Sequence, residues 1–407
     1  MREALRALTP RGRGFIAAGL TAAACGILFG ERDLVRIGLL VALLPLVTAA
    51  WIARSGHRLG LARTLSAHHV ETGQQSVVHL ELTNVGPTTG VLLLEERIPH
   101  ALGSRPRFVV DTMAPGWHRR IDYPVTAEVR GRYQVGPLSV RVADPFGMVE
   151  LHRTFSRTTD LIVTPRVEPL PAIRLRGAWA GSGDNRPRPF SSGNVADVTV
   201  REYRRGDDLR RVHWRSTARV GELMVRREEQ PWQARCTLFV DNRARAHQGA
   251  APDSSLEKGI IATASVAVHL ARQGFQVRLV SAAGEELDHG WHDGSTSVDA
   301  RPLLERLAVL PTAQGVLHTD WLDETIGQQL FVAVLGMSDD HDLGLLSRVH
   351  ASGGGAYALV LDTDDWAVRS AVPGPPPRTG WLQAHGWKAV TVRRAGSVAE
   401  AWQELGR

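Results

Sequence analysis

Three side chains within one short stretch of the sequence could move a proton. Glu202 and Asp207 offer a pair of carboxylates, and His213 offers an imidazole that titrates near neutral pH. Together they could support hydrolysis. Hydrolysis also needs a nucleophile or a metal, and a pocket to hold the substrate. The sequence has no H-E-x-x-H, G-x-S-x-G, glycine-rich phosphate loop or clustered Cys and His. Ser216-Thr217 has no triad context. Cys25 and Cys236 are too far apart to suggest a disulfide framework or a metal-ligand spacing. No catalytic residue and no cofactor is therefore expected, and a hydrolase built on Glu202, Asp207 and His213 is the least supported reading.

The same stretch is unusual for another reason. From Arg201 to Gln230 the charges alternate in sign, yet Tyr203, Val212, Trp214, Leu223 and Val225 are threaded through them. A solvated face would not need Trp214, or Gly206 followed directly by Asp207. The spacing R-E-Y-x-x-G-D-x-x-R-x-x-x-W-x-x-T-A-R is carried by Arg201, Glu202, Tyr203, Gly206, Asp207, Arg210, Trp214, Thr217, Ala218 and Arg219. It resembles the signature of the bacterial domain of unknown function 58 (DUF58) family. Residue by residue, Arg201, Arg210 and Arg219 could pair with Glu202, Asp207 and Glu222, since a guanidinium fork meets a carboxylate bidentately. Trp214 would then be a buried anchor, His213 a satisfied or exposed neighbour, and residues 201–230 a junction docked on the next domain. Recognition of a partner protein, or of an anionic lipid or nucleic acid by the arginines, are the alternatives.

These residues must be positioned by a chain of 407 residues, long enough for two or three domains, and a 43% hydrophobic content supports real cores. The net charge of +6 hints at nucleic acid. Lys258 and Lys388, however, are the only lysines among 48 basic residues. An arginine bias beside abundant Ala and Gly is what a GC-rich genome would produce, so the charge alone does not call for a nucleic-acid partner.

After a tail at 1–14, residues 15–53 read as a two-helix transmembrane hairpin. Phe15 to Gly30 is uncharged, Glu31, Arg32 and Asp33 interrupt it, and Ile37 to Ala53 resumes. Each half is about 24 Å long as a helix, slightly short of a bilayer core of about 30 Å. A second apolar run where mature sequence should begin argues against a signal peptide. Arg2, Arg6, Arg11 and Arg13 precede the first span, and Arg54, Arg58 and Arg63 follow the second. Positive flanks stay in the cytoplasm, so both termini and the soluble domains are expected on the inner face of the plasma membrane.

Residues 61–170 carry short alternating runs separated by Gly/Pro turns, as an all-β sandwich requires. The runs are Ser76–Thr83, Val91–Glu95, Arg107–Asp111, Arg120–Val125, Leu138–Val142, Leu151–Phe155 and Leu161–Val163. Arg130 to Pro137 and Asp144 to Gly147 read as turns and again resemble the DUF58 family. Residues 171–200 form a linker that includes a mobile loop over Ala178–Asn194.

From 235 to 407 strands and helices alternate. Strands are expected at Cys236–Val240, Gln276–Ser281, Leu330–Leu335, Ala356–Leu361 and Ala389–Val392. Helices are expected from the Ser254–Glu257 capping box to Gly274, at Val298–Leu310, Asp342–His350 and Val398–Leu405. This is an α/β doubly wound pattern, and with Asp241 ending the first strand it resembles a von Willebrand factor A-like domain. Such domains hold a divalent ion through D-x-S-x-S. Here the frame is Asp241-Asn242-Arg243-Ala244-Arg245, with Arg243 and Arg245 in place of both hydroxyls. A nearby guanidinium repels a dication, and Asp339 or Asp340 could supply a carboxylate but not the missing hydroxyls, so the position is expected to be degenerate and metal-free. The alternative is that Asp241 pairs internally with one of these arginines. The family resemblance implies a protein-interaction scaffold, working with a MoxR-type AAA+ ATPase or a transglutaminase-like membrane protein. The expected orientation is checked by cysteine labelling of the soluble domains in intact cells: impermeant reagent should not reach them from outside, and labelling from outside would invert the topology.

Overall fold

The computed structural model describes residues 8–54, 59–143, 146–175, 199–203, 212–227, 235–284, 300–318, 330–351, 355–367 and 377–407. The chain divides into two compact units, Met1–Pro165 and Arg166–Arg407.

The first unit opens with two apolar helices, α1 (Pro10–Phe29) and α2 (Arg32–Arg54). At 20 and 23 residues they are longer than their uncharged cores. Thr9 caps α1 through its side-chain oxygen and Pro10 occupies the first turn, so the helix starts before Arg11 and Arg13. At about 30 and 35 Å both are long and apolar enough to cross a membrane. Only 22% of each apolar window is buried, whereas the core helix of a soluble protein would be mostly covered. The helices pack backbone to backbone: a Cβ on Gly38 would lie 2.5 Å from the Ala23 nitrogen.

Ten strands follow: β1 (Leu59–Leu65), β2 (His69–Glu71), β3 (Gln75–Asn84), β4 (Leu92–Glu96), β5 (Arg107–Val110), β6 (His118–Thr126), β7 (Gly131–Val135), β8 (Leu138–Ala143), β9 (Glu150–Phe155) and β10 (Thr159–Thr164). They form sheets in the orders β1-β3-β6, β2-β10-β7 and β5-β4-β8-β9. All seven expected strands are present. β1 and β2 carry too little alternation to be read, and Gly131–Val135, expected to be part of a turn, is a strand paired to β10. Alternate residues of the three sheets, among them Val78, Leu80, Leu82, Leu92, Leu94, Val140 and Val163, meet in one apolar core.

Beside that core lies a buried ion pair. Arg63 and Glu96 are hydrogen-bonded with side chains 3% and 0% exposed, and Arg63 also donates to the Arg157 carbonyl at 2.6 Å. Burial pushes the Glu96 carboxyl above its ordinary range, against the pull of Arg63. Gly136 makes room for the pair: with φ +104°, a Cβ there would lie 2.8 Å from the Arg63 guanidinium.

In the second unit five parallel strands lie in the order β14-β13-β15-β16-β17, where β13 is Arg235–Val240, β14 Gln276–Ser281, β15 Leu330–Leu335, β16 Ala356–Leu361 and β17 Lys388–Val392. Before them stand β11 (Thr199–Glu202), α3 (Trp214–Val220) and β12 (Met224–Arg227). The helices are α4 (Ser255–Arg272), α5 (Arg301–Val309), α6 (Asp340–Ala351), α7 (Thr379–Ala384) and α8 (Val398–Leu405). The Ser254 hydroxyl accepts from Glu257 N at 3.2 Å, so the expected cap starts α4. Every residue of β15 is buried because helices cover both faces. Leu238, Val332 and Leu359 pack with Ile260, Leu307 and Trp402 of α4, α5 and α8. Phe239, Ala333 and Val360 pack with Leu343 and Leu382 of α6 and α7 on the other side.

Residues 166–175 are part of this unit. Val167, Leu170, Ile173 and Leu175 pack on its core, and Glu168 accepts from Val398 N at 3.1 Å, capping α8. The Ala178–Asn194 loop lies outside the described residues. Gly136→Ala should cost about 1–3 kcal/mol by forcing a methyl against the buried guanidinium. Chemical denaturation of the full chain in detergent would measure this, and an unchanged midpoint would mean that the pair can shift freely.

Candidate functional site

In an open parallel sheet, ligands are held where the strand order reverses, beyond the carboxyl ends of the strands. Here that point lies between β13 and β15, and Asp241 stands on it. Its backbone N–H donates to the Val334 carbonyl at 2.9 Å, extending the ladder by one residue. Asn242 then pins two loops through three hydrogen bonds: Nδ2 donates to Pro311 O (2.8 Å), Oδ1 accepts from Ala282 N (3.1 Å), and its carbonyl accepts from Ala313 N (2.8 Å).

Arg243, 2% exposed, turns back over the strand end. Its Nε and Nη2 donate to Oδ1 and Oδ2 of Asp241, both at 2.8 Å, and Nη1 donates to Oδ1 of Asp342 at 2.7 Å. Burial opposes the charge, but the hydrogen bonds and charges of the two aspartates outweigh it and raise the guanidinium pKa above its ordinary value. Arg245 lies 3.4 Å from both Asp342 and Asp339. Asp241 is therefore paired internally. Its second carboxylate neighbour is Asp342 rather than Asp339 or Asp340. Asp339 caps α6 by accepting from Asp342 N (2.8 Å), which lowers its pKa, and Asp340 faces Arg378 at 3.3 Å. The sequence signal for Asp342 was the capping spacing itself, an acceptor three residues after Asp339.

His247 completes the cluster. Its Nε2 is 2.6 Å from the Asp241 carbonyl, which can only accept, so Nε2 carries the hydrogen and Nδ1 accepts from the Ser255 hydroxyl at 3.1 Å. Burial lowers the imidazole pKa and keeps it neutral. Ser255 is fully buried and its oxygen also accepts from Gln248 N, so this serine–histidine contact is out of reach of a substrate.

The residues do not fit a magnesium site. A cation already bridges both carboxylates, and among the described residues no group of three His, Cys, Asp or Glu could hold a metal.

The signature segment is built differently. Gly206, Asp207 and Arg210 lie outside the described residues. β11 pairs antiparallel with β12, setting Arg201 opposite Val225 and Glu202 opposite Met224, and Tyr203 N donates to Leu223 O at 2.7 Å. Val212 bridges to Val225, and both are buried. His213 caps α3: its Nδ1 accepts from Ser216 N (3.3 Å) and lies 2.8 Å from Ser216 Oγ. Thr217 fastens the helix to β12 by accepting from Met224 N at 3.0 Å.

Trp214 is not the buried anchor expected. It is 70% exposed at the first position of α3, a helix with no buried residue, while the bridged Val212 and Val225 are buried. Val220 and Leu223 are exposed nearby, as are Ala218 and Arg219. The ion pairing expected of Arg219 and Glu222 is also missing, since among the described residues neither has a partner.

Residues 199–314 match the model of the family described as protein of unknown function DUF58. The match supports that family for the signature segment and the first half of the parallel sheet. No curated protein matches the chain. Among solved structures, a CARDB domain from Pyrococcus furiosus in complex with di-metal ions is 16% identical, covers 27% of this chain and 94% of its own, and superposes with a TM-score of 0.21. An alkylpurine DNA glycosylase from Pseudomonas fluorescens, bound to DNA containing an abasic-site analogue, is 14% identical over 31% of this chain and 39% of its own, at 0.18. A β-glucosidase from Listeria innocua is 12% identical over 25% and 16%, at 0.16. Likenesses this slight decide neither fold nor function.

Titration calorimetry of the purified protein with Mg²⁺ or Mn²⁺ should reveal no saturable site that disappears in Asp241→Ala. An Asp241-dependent site would mean that Arg243 can be displaced and that ligands come from elsewhere.

Proposed function

We propose that this chain is a membrane-tethered, cytoplasmic protein-interaction scaffold or adaptor with no catalysis of its own. In this reading α1 and α2 form an inner-membrane hairpin with both termini inside, and the β unit is a sandwich. The parallel sheet is a von Willebrand factor A-like platform in which Arg243 takes the place of the metal. The family resemblance suggests a MoxR-type AAA+ ATPase or a transglutaminase-like membrane protein as partner.

The observation that carries the reading is Trp214. An indole 70% exposed on a capped helix that is fastened to β12 contributes little to the core beneath it. Exposed tryptophan and arginine are the side chains that most often anchor interfaces, and Val220, Leu223, Arg215 and Arg219 are exposed in the same short segment. Hydrolysis gains no support, since His213 commits Nδ1 to its helix cap and Glu202 is exposed. A second reading, recognition of an anionic lipid or nucleic acid, is favoured by one feature: Arg215 and Arg219 have no carboxylate partner among the described residues.

Placing a photocrosslinking amino acid at position 214 in native membranes separates these readings. Adducts with an AAA+ ATPase or a transglutaminase-like protein are expected. Phospholipid or nucleic-acid adducts would select the second reading, and no adduct would overturn both. Trp214→Ala should unfold within about 0.5 kcal/mol of wild type, as surface changes do, while losing the adduct partner in pulldown.

A further inference from the structure

The start of α1 is locked onto the β unit by backbone as well as side chains. Thr9 N donates to Met148 O at 2.9 Å, and Thr9 Oγ1 donates to Gly147 O at 2.7 Å. Leu8 forms a bridge to Val149. Gly12 presses on the same segment so closely that a Cβ would lie 2.3 Å from Met148 O. Leu8, Ala49, Met148 and Val149 are buried together, with Ile16, Leu44 and Leu151 packed around them. Both helices thus grip one edge of the β unit at the ends away from their connecting turn. A hairpin that crosses a bilayer has those ends at the lipid–water interface, so the residues beside Met148 are held at headgroup level.

Phe146 is one of them. It is 60% exposed, two residues before the buried Met148. Arg11 and Arg13 are exposed on the first turn of α1, and the Arg11 guanidinium reaches Gly147, 3.7 Å from where a Cβ would stand. Neither arginine has a carboxylate partner among the described residues. An exposed aromatic ring beside unpaired guanidiniums has the composition of an interfacial anchor: the ring lies among the upper acyl chains and the cations reach the phosphates.

We propose that Phe146, with Arg11 and Arg13, seats the β unit on the membrane surface, the ring entering the interfacial layer and the arginines binding anionic phospholipid headgroups. The seat rests on the reading that α1 and α2 span the bilayer. It adds that the β unit is held against the lipid surface and does not swing freely from its tether.

Spin labels on the full chain in nanodiscs of mixed phosphatidylcholine and phosphatidylglycerol test this. In a Cys25→Ala background, with Cys236 fully buried and unreactive, labels go at Phe146→Cys, at Leu40→Cys on the exposed face of α2, and at Ser104→Cys. Ser104 is exposed and precedes Arg107, whose sheet register through Glu95 and Ser139 lies at the far end of β9 from Glu150. The ratio of oxygen to nickel-chelate collisions at 146 should exceed that at 104 severalfold and approach that at 40. It should fall when phosphatidylglycerol is omitted or in Arg11→Gln with Arg13→Gln. A ratio at 146 equal to that at 104, with 40 in lipid, would overturn the seat and leave the hairpin standing. Water exposure at both 146 and 40 would overturn the spanning reading and the seat with it. A lipid signal at 146 that ignores headgroup charge would overturn the part assigned to the arginines.

Discussion

A guanidinium removed from water, with carboxylates on two sides, fixes the end of the first strand of the parallel sheet. Removing an ion from water costs several kcal/mol even after the protein relaxes. Arg243 offsets that cost with three charge-assisted hydrogen bonds to Asp241 and Asp342. The consequence is architectural. Asp241 directly follows β13 and Asp342 belongs to α6, so a single side chain ties the strand end to the helix that follows β15. Asn242, the next residue along, ties the same point to the loops after β14 and α5. The place where an open α/β sheet would hold a ligand is occupied by the protein's own cation.

The β unit uses the same device in Arg63 and Glu96, and there the surroundings are less forgiving. Among the described residues, Arg63 Nε, one Glu96 oxygen and the Tyr123 hydroxyl are buried without partners. The Arg63–Glu96 pair and the glycine that clears space for it lie in different parts of the sequence, which is why Gly136-Pro137 reads locally as no more than a turn.

Elements with a strong local signal were legible in the sequence. Leu330–Leu335 and Ala356–Leu361 are unbroken apolar runs, and each is a strand buried on both faces. The capping serine before α4 and the internal pairing of Asp241 also follow from residue type. What could not be read depends on partners distant in the chain. The strand Gly131–Val135 carries Arg132 and Gln134 on one face and has meaning only against β10. Trp214 resembles a core residue by type, yet it is Val212 and Val225, bridged to each other, that are buried in this segment. Asp342 is separated from Arg243 by 99 positions, and only the fold brings them within 2.7 Å.

The proposal of a scaffold without chemistry of its own depends on Arg243 being a fixed part of the sheet edge. A double-mutant cycle on Arg243→Met and Asp342→Asn, with unfolding free energies measured for all four full-length proteins in detergent, tests this most directly. Each single change should destabilise by leaving a buried charge unmatched, and the pair should be coupled by about 2 kcal/mol. Additive effects, with coupling below about 0.5 kcal/mol, would show that the bridge does not hold the edge and that the site between β13 and β15 is open to a ligand after all.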